Sequence, residues 1–520
     1  MALLRSAATV GGYTAISRVL GFVREVLTAA FLGAGPVADA FVVALRLPNL
    51  FRALFAEGAL SAAFVPLFAA RAAAEGKAAA RAFAEDALAL LLVFLVAFTL
   101  AAELAMPWVV RAIAPGFADE SDRFELAVAL TRITFPYLLF ISLVALLGGV
   151  LNALERFAAQ ASAPIVLNIT LIVAMVTAGW FPTPGHALAW GVAAAGVLQF
   201  LWLALAAARA GVPLSLPRPR LTPEVRRLLR LMGPGVIGSG ITQINLLVGT
   251  MLASLLPTGA IAHLYYADRL NQLPLGMVGI AVATAVLPQL ARELRSATPQ
   301  TAQRTHSHAV VLALVVTLPA AAALALLARP IVHVLYERGA FGPDDAAATA
   351  AALVAYAAGL PAFVLGRVVV VGFFAREDTR TPVKLAAAAF VANVGLTLAL
   401  MGPLGHVGVA LATTATGWLS ALAMLLLLAR RRQFRADEIL RSRLPRVAAA
   451  TLVMAAALWA GMQAAAQWPW AARLASGQVG AAAVLAALIL VGIAAYAGAC
   501  LGLRAVAIAE LRDLVRRRRA

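Results

Sequence analysis

Apolar residues run along this chain in long blocks, each long enough to cross a ~30 Å hydrocarbon layer as a helix. Fourteen blocks stand out, at about 8–32, 37–68, 84–106, 126–152, 160–181, 186–208, 228–256, 264–291, 305–328, 346–374, 382–401, 406–429, 445–466 and 477–503. The pattern predicts an all-α polytopic membrane protein with about fourteen transmembrane helices. The second and eighth blocks are the most interrupted by polar residues.

The segments between blocks alternate in charge. Arg71, Lys77 and Arg81 follow block 2; Arg209, Arg218, Arg220, Arg226, Arg227 and Arg230 follow block 6; seven arginines between Arg430 and Arg446 follow block 12. The chain closes on Arg516 to Arg519. The alternate segments are neutral or acidic: 33–37, 181–186 and 401–406 carry no Arg, Lys, Asp or Glu, and the one after block 3 holds Asp119, Glu120, Asp122 and Glu125. Positive charge collects on the cytoplasmic side, so both termini are expected there. The basic tail also suits anionic lipid.

The chain repeats itself. Positions 59–66 (ALSAAFVP) resemble 281–288 (AVATAVLP), Pro164 answers Pro382, and Gly185-His186 answers Gly405-His406, at offsets of 222, 218 and 220. Such an offset spans six blocks, an even number, and predicts two six-helix lobes in parallel repeat plus two C-terminal helices. The domains expected are 1–215, 216–435 and 436–520.

Composition fits this picture. Hydrophobic residues make up 63% and charged residues 13%, against about 25% charged in ordinary soluble chains, and the mean hydropathy is +0.91. The net charge of +18 comes almost wholly from arginine, Lys77 and Lys384 being the only lysines. That charge falls between apolar spans rather than on a soluble basic face, so nucleic acid is not an expected partner. One cysteine, Cys500, excludes an internal disulfide framework. Met1 to Arg5 lead into block 1 without a small-residue cleavage site, so no removable signal peptide is expected.

Catalytic patterns are missing. His186 and His406 open spans, His306 and His308 fall in a polar stretch read as a loop, and no His/Cys/carboxylate group has metal-ligand spacing. No nucleophile elbow, phosphate-binding loop or dinucleotide fingerprint is present. The chain is read as a non-enzyme without a cofactor. With no soluble ATPase segment, its energy is expected from gradients, membrane potential or downstream consumption.

The chemistry concentrates in 17–66, SRVLGFVREVLTAAFLGAGPVADAFVVALRLPNLFRALFAEGALSAAFVP. Two apolar helices joined by a Gly-Ala-Gly-Pro turn carry Arg18, Arg24, Glu25, Asp39, Arg46, Arg52 and Glu57. Each charge in a spanning helix costs at least ~2.5 kcal/mol on insertion scales and by default marks a functional site. Four arginines against three acids leave surplus positive charge, and the guanidinium fork suits phosphate and carboxylate. Asp39, Arg46 and Glu57 fall within about 20° of one another at 100° per residue, with Asn49 nearby; Pro48 interrupts that phase. Two readings remain open, an anion site and an ion-pair network that holds the helices together. The second half offers Asp268 and Arg269 in LYYADRLNQLPLG, where adjacent residues point to different faces.

That first stretch closely resembles the MurJ (MviN) lipid II flippases of bacteria, and LYYADRLNQLPLGMVGIAVATAVLPQLAR and AREDTRTPVKLA resemble later motifs of the same family. The likeness covers nearly the whole chain. It implies a place in the multidrug/oligosaccharidyl-lipid/polysaccharide exporter superfamily, fourteen helices, and a final helix pair that forms a groove for the lipid tail. It also implies the substrate, undecaprenyl diphosphate carrying the peptidoglycan disaccharide-pentapeptide. Family roles carry onto Arg18, Arg24, Arg52 and Arg269 as cavity cations and onto Asp39 as their partner. The family's usual Arg-Asp is Arg24-Glu25 here, which keeps the charge. The positions matching a sodium site of some members are Gly249, Asn393, Thr397, Val409 and Thr413; none is acidic, which speaks against sodium.

The expected function is therefore outward transfer of lipid II across the inner membrane, with membrane lipids and the cell-wall synthesis machinery as further partners. The alternatives are another exporter of the superfamily, which moves a drug or a different polyprenyl-linked glycan, and an integral-membrane glycosyltransferase. Cationic drugs would favour cavity acids over arginines. A transferase would need a large catalytic loop that the chain lacks.

Overall fold

Every regular element among the described residues is helical. The structure, a computed structural model, describes residues 2–53, 60–296, 299–435, 437–467 and 477–505. Its chain falls into two compact units, Met1–Ala262 with Arg338–Phe341, and His263–Glu337 with Gly342–Ala520.

The first unit contains α1 (Ala2–Leu32), α2 (Pro36–Phe51), α3 (Ser61–Leu104), α4 (Met106–Ile113), α5 (Ser121–Thr134), α6 (Tyr137–Ala153), α7 (Phe157–Val176), α8 (Pro184–Arg209) and α9 (Pro223–Ala253). Next comes α10 (Ala260–Ser296), most of it in the second unit. The second unit continues with α11 (Pro299–Leu326), α12 (Ala328–Leu335), α13 (Pro343–Ala357), α14 (Leu360–Phe374), α15 (Arg380–Arg430), α16 (Glu438–Gln467) and α17 (Gln478–Gly502). Nine helical segments among the described residues are long and apolar enough to cross a membrane. α1 keeps Arg18, Arg24 and Glu25 within its apolar stretch, and α2 has only 16 residues.

Side-chain chemistry explains where the helices divide. Block 4 of the sequence becomes α5 and α6, parted at Phe135-Pro136, and block 10 becomes α13 and α14, parted at Ala358-Gly359. α15 is 51 residues long, about 77 Å at 1.5 Å per residue, too long for one crossing. It breaks at Gly405, whose φ of 57° and ψ of −135° suit glycine alone. A Cβ on Gly408 would lie 2.2 Å from the Leu400 carbonyl oxygen, so the chain has turned back on itself there.

Three local expectations are corrected. Pro48 does not interrupt α2, because the helix runs on to Phe51 and the Arg52 amide still bonds Pro48 and Asn49 carbonyls. Arg71, Lys77 and Arg81 lie in α3 rather than in a loop, with the only non-helical residue at Gly76 (φ 86°); Arg71 bonds Glu75 and Arg81 bonds Glu85, each four residues on. His306 and His308 lie in α11, and His306 is buried with its ring 5.1 Å from that of Phe434.

The internal repeat is visible in the element boundaries. α4 and α12 have eight residues each and start 222 residues apart, as do α5 and α13. The repeat motif at 59–66 begins outside the described residues, as do the side chains of 281–288 and the basic tail.

Within the first unit α1 packs on α7, α7 on α8, and α3 and α8 on α6. Phe64, Phe68 and Phe83 are buried at its centre, the Phe64 and Phe83 rings stacked at 5.4 Å. In the second unit α11 packs on α14 and α16, and α16 on α17. Val93, Phe94 and Leu100 on α3 and Leu490 and Ile493 on α17 are exposed. Rows of exposed apolar side chains on spanning helices are what a lipid solvent requires.

Candidate functional site

The polar face of α1 is set by spacing. Ser17, Arg24 and Thr28 are seven and four residues apart, which places them on one side of the helix. That side meets Asn168 of α7. Arg24 donates through Nη1 to Asn168 Oδ1 at 3.0 Å, and Asn168 Nδ2 donates to the Ser17 carbonyl at 2.9 Å. Thr28 Oγ1 returns a hydrogen bond to the Arg24 carbonyl at 2.8 Å. Arg24 also pairs through Nη2 with the neighbouring Glu25. The guanidinium is thus held at a fixed place with a fifth of its side chain still exposed. Arg18 stands next to this network, exposed and with no ion-pair partner among the described residues.

Asp39 pairs with an arginine that the sequence reading did not name, Arg123. The aspartate is wholly buried. Its Oδ2 accepts from Arg123 Nη2 at 2.6 Å and from the Gly259 amide at 2.7 Å, and its Oδ1 accepts from the Ala262 amide at 2.8 Å. The carboxylate therefore joins the start of α2 to α5 and to the first turn of α10, whose dipole favours an anion. Arg123 is itself buried, 4.0 Å from the centre of the Phe117 ring and 3.4 Å from Glu120. Arg46, Asn49 and Arg52 are half-buried on and just beyond α2, and Glu57 lies outside the described residues.

A backbone clasp closes the α1–α2 turn. The Ala340 amide donates to the Ala30 carbonyl at 2.8 Å. A Cβ on Gly33 would fall 2.5 Å from the Ala340 oxygen, and one on Gly339 would fall 2.3 Å from the Ala30 oxygen. Both glycines have positive φ, 63° and 60°, so conformation and space alike demand them.

In the second unit Arg269 is half-buried on α10, its guanidinium 4.7 Å from the centre of the Tyr265 ring, a cation–π distance. Its neighbour Asp268 accepts from Gln272 Nε2. Of the positions matched to sodium, Asn393, Thr397 and Val409 are buried on α15, and Thr413 Oγ1 bonds the Val409 carbonyl at 3.0 Å within its own helix. Gly249 belongs to α9. Among the described residues no cluster of three or more His, Cys, Asp or Glu could hold a metal.

Among the described residues the fold is helical and strand-free, with arginines held inside apolar helices, and solved structures share it. The chain matches an inward-facing multidrug resistance MATE family transporter of the MOP superfamily with a TM-score of 0.69 at 17% identity, over 80% of this chain and 94% of that one. It matches a lipid II flippase MurJ in an inward closed conformation with a TM-score of 0.78 at 24% identity, over 97% of this chain and 99% of that one. The family model described as lipid II flippase MurJ covers residues 28–475. A probable lipid II flippase MurJ of Rhizobium meliloti is 44% identical over 99% of this chain and 97% of its own length, and a lipid II flippase MurJ of Burkholderia cenocepacia is 36% identical over 83% and 84%. The chain belongs to the MurJ lipid II flippase family.

Proposed function

We propose that this protein carries lipid II from the cytoplasmic to the outer face of the bacterial inner membrane by alternating access. Membership of the MurJ family supports the substrate. The observation that carries the chemical reading is Arg24, fixed by Asn168 and Ser17 inside an apolar helix beside the exposed Arg18. A diphosphate does not cross hydrocarbon unaided, because shedding its hydration costs far more than the layer returns. Guanidinium groups replace that hydration with charge-assisted hydrogen bonds. Arg18, Arg24, Arg52 and Arg269 are assigned to the headgroup, with Arg46, Asn49 and Glu57 as polar partners and Asp39 as the residue that holds α2 in place.

The polyprenyl tail stays in lipid while the headgroup crosses, and α16 and α17, in the 436–520 part, supply the groove for it. The lobes 1–215 and 216–435 rock around the bound headgroup. Both termini face the cytoplasm, as the arginine-rich segments require. The family is one of transporters, and no chemical step is assigned.

The test is outward accessibility of labelled lipid II in proteoliposomes with and without this protein. Protein-dependent exposure of the label is the expected result. Equal exposure in empty vesicles overturns the proposal.

A further inference from the structure

The turn between α6 and α7 and the turn between α14 and α15 are built alike and carry opposite charge. Each passes through a glutamate in the left-handed region, Glu155 at φ 59° and Glu377 at φ 61°. In each, the next amide closes back on the preceding helix: Arg156 to the Leu151 carbonyl at 2.8 Å, Asp378 to the Phe373 carbonyl at 3.0 Å. Arg156 and Asp378 are therefore counterparts.

In the second unit the Asp378 carboxylate has three partners. It accepts from the Thr381 amide at 3.0 Å, from Thr381 Oγ1 at 2.6 Å and from Arg431 Nη1 at 2.7 Å. It caps the first turn of α15 and neutralises an arginine just past that helix's end. In the first unit the counterpart is a cation. The side chain of Arg156, the N-cap of α7, makes no hydrogen bond to the first turn, and Arg209, the last residue of α8, occupies the turn that corresponds to that of Arg431. Neither Arg156 nor Arg209 has a hydrogen-bond or ion-pair partner among the described side chains. Both line one cavity of about 600 Å³ together with Phe157 and Ala159 of the first turn of α7. Glu155 lines it as well and pairs with neither arginine. Trp202 and Leu205 form an apolar wall, 43% and 47% exposed, with the indole N–H fixed on Ser162 Oγ at 2.9 Å.

We infer that this cavity binds the phosphate of an anionic phospholipid, whose charge takes the role that Asp378 plays in the other unit. Two guanidinium groups beside a helix N-terminus form an anion site from three independent donors. Two like charges in one cavity also favour a bound counter-charge over none. The wall of Trp202 and Leu205 suits glycerol and acyl carbons, and tryptophan at a membrane boundary is the usual anchor there. A soluble phosphate would leave that wall unused, so the lipid is the occupant.

The experiment compares lipid retention of the full chain by native mass spectrometry and its thermal shift with phosphatidylglycerol, phosphatidylcholine and inorganic phosphate. The wild type is expected to retain and be stabilised by phosphatidylglycerol above phosphatidylcholine. Arg156→Ala/Arg209→Ala is expected to lose about tenfold or more of that preference, the value of one charged hydrogen bond. Arg156→Asp provides its own counter-charge and cap, so it should fold, keep its stability without anionic lipid and lose the preference. Equal retention of both lipids by the wild type, or an unchanged preference in either variant, overturns the inference. So does stabilisation by inorganic phosphate that matches phosphatidylglycerol, which would make this a site for a bare anion.

Discussion

Arg24 and Asp39 show two ways in which an apolar helix keeps a charge. Arg24 is tethered by a neutral amide, paired with its neighbour Glu25 and stays partly open, while Asp39 is closed off by a cation and two backbone amides. Their variants should fail differently. Arg24→Ala should insert and fold while lipid II transfer falls by about tenfold or more, the loss of one charged hydrogen bond. Arg24→Lys should restore only part, because an ammonium lacks the bidentate fork. Normal transfer by well-expressed Arg24→Ala would make the network structural. Asp39→Ala leaves the buried Arg123 with only the exposed Glu120 at 3.4 Å as counter-charge and should cost ~3–5 kcal/mol of stability. Arg123→Ala should cost a similar amount, and the double variant much less than the sum, as chemical unfolding in detergent would read. Additive losses would mean that the pair is not coupled. The arginines were legible in the sequence because charge in an apolar run stands out. Their partners were not: Asn168 lies 144 residues from Arg24, and Arg123 lies 84 from Asp39 within an acidic run that drew attention to its carboxylates.

At the scale of elements, Asp378 shows how a cap outside the membrane span answers to pH. Hydrogen bonds from Thr381, then from Arg431, hold its carboxyl at about 2, below the usual carboxylate value. A depressed folded-state value means that the contribution is present above the unfolded value of ~3.9 and is lost as pH falls toward about 2. The gap in melting temperature between the wild type and Asp378→Asn should therefore be flat from neutral pH to about 5 and shrink below ~3.9. A gap that closes at neutral pH would show that the cap contributes nothing. Block lengths in the sequence located the helices well, since hydropathy reports burial in lipid directly. They placed breaks at Gly76 and Gly405, each between two blocks, but missed those at Phe135-Pro136 and Ala358-Gly359, each inside one block, and Pro48 lies inside α2. A helix ends where tertiary contacts hold the next residue in another conformation, and no local pattern records those contacts.

For the whole molecule, the sequence repeat at offsets of 218 to 222 reappears as helices that start 222 residues apart, because a repeat is a property of chain order and survives loss of side-chain identity. Orientation rests on arginine placement alone and is open to a direct measurement. With the buried Cys500 replaced, Trp180→Cys in the neutral segment after α7, 86% exposed in the wild type, should react with an impermeant thiol reagent added outside. Arg218→Cys in the basic segment after α8 should react only after permeabilisation. The reverse pattern would invert the direction of transport. The clasp between Ala30–Gly33 and Gly339–Ala340 adds a demand on biosynthesis. Its two strands of backbone are some 310 residues apart in the chain, and at about 5–20 residues per second the ribosome needs roughly 15–60 s to make the second after the first. Until then the α1–α2 turn stays unclosed, so the first unit reaches its final form only after the opening part of the second, His263–Glu337, has been translated.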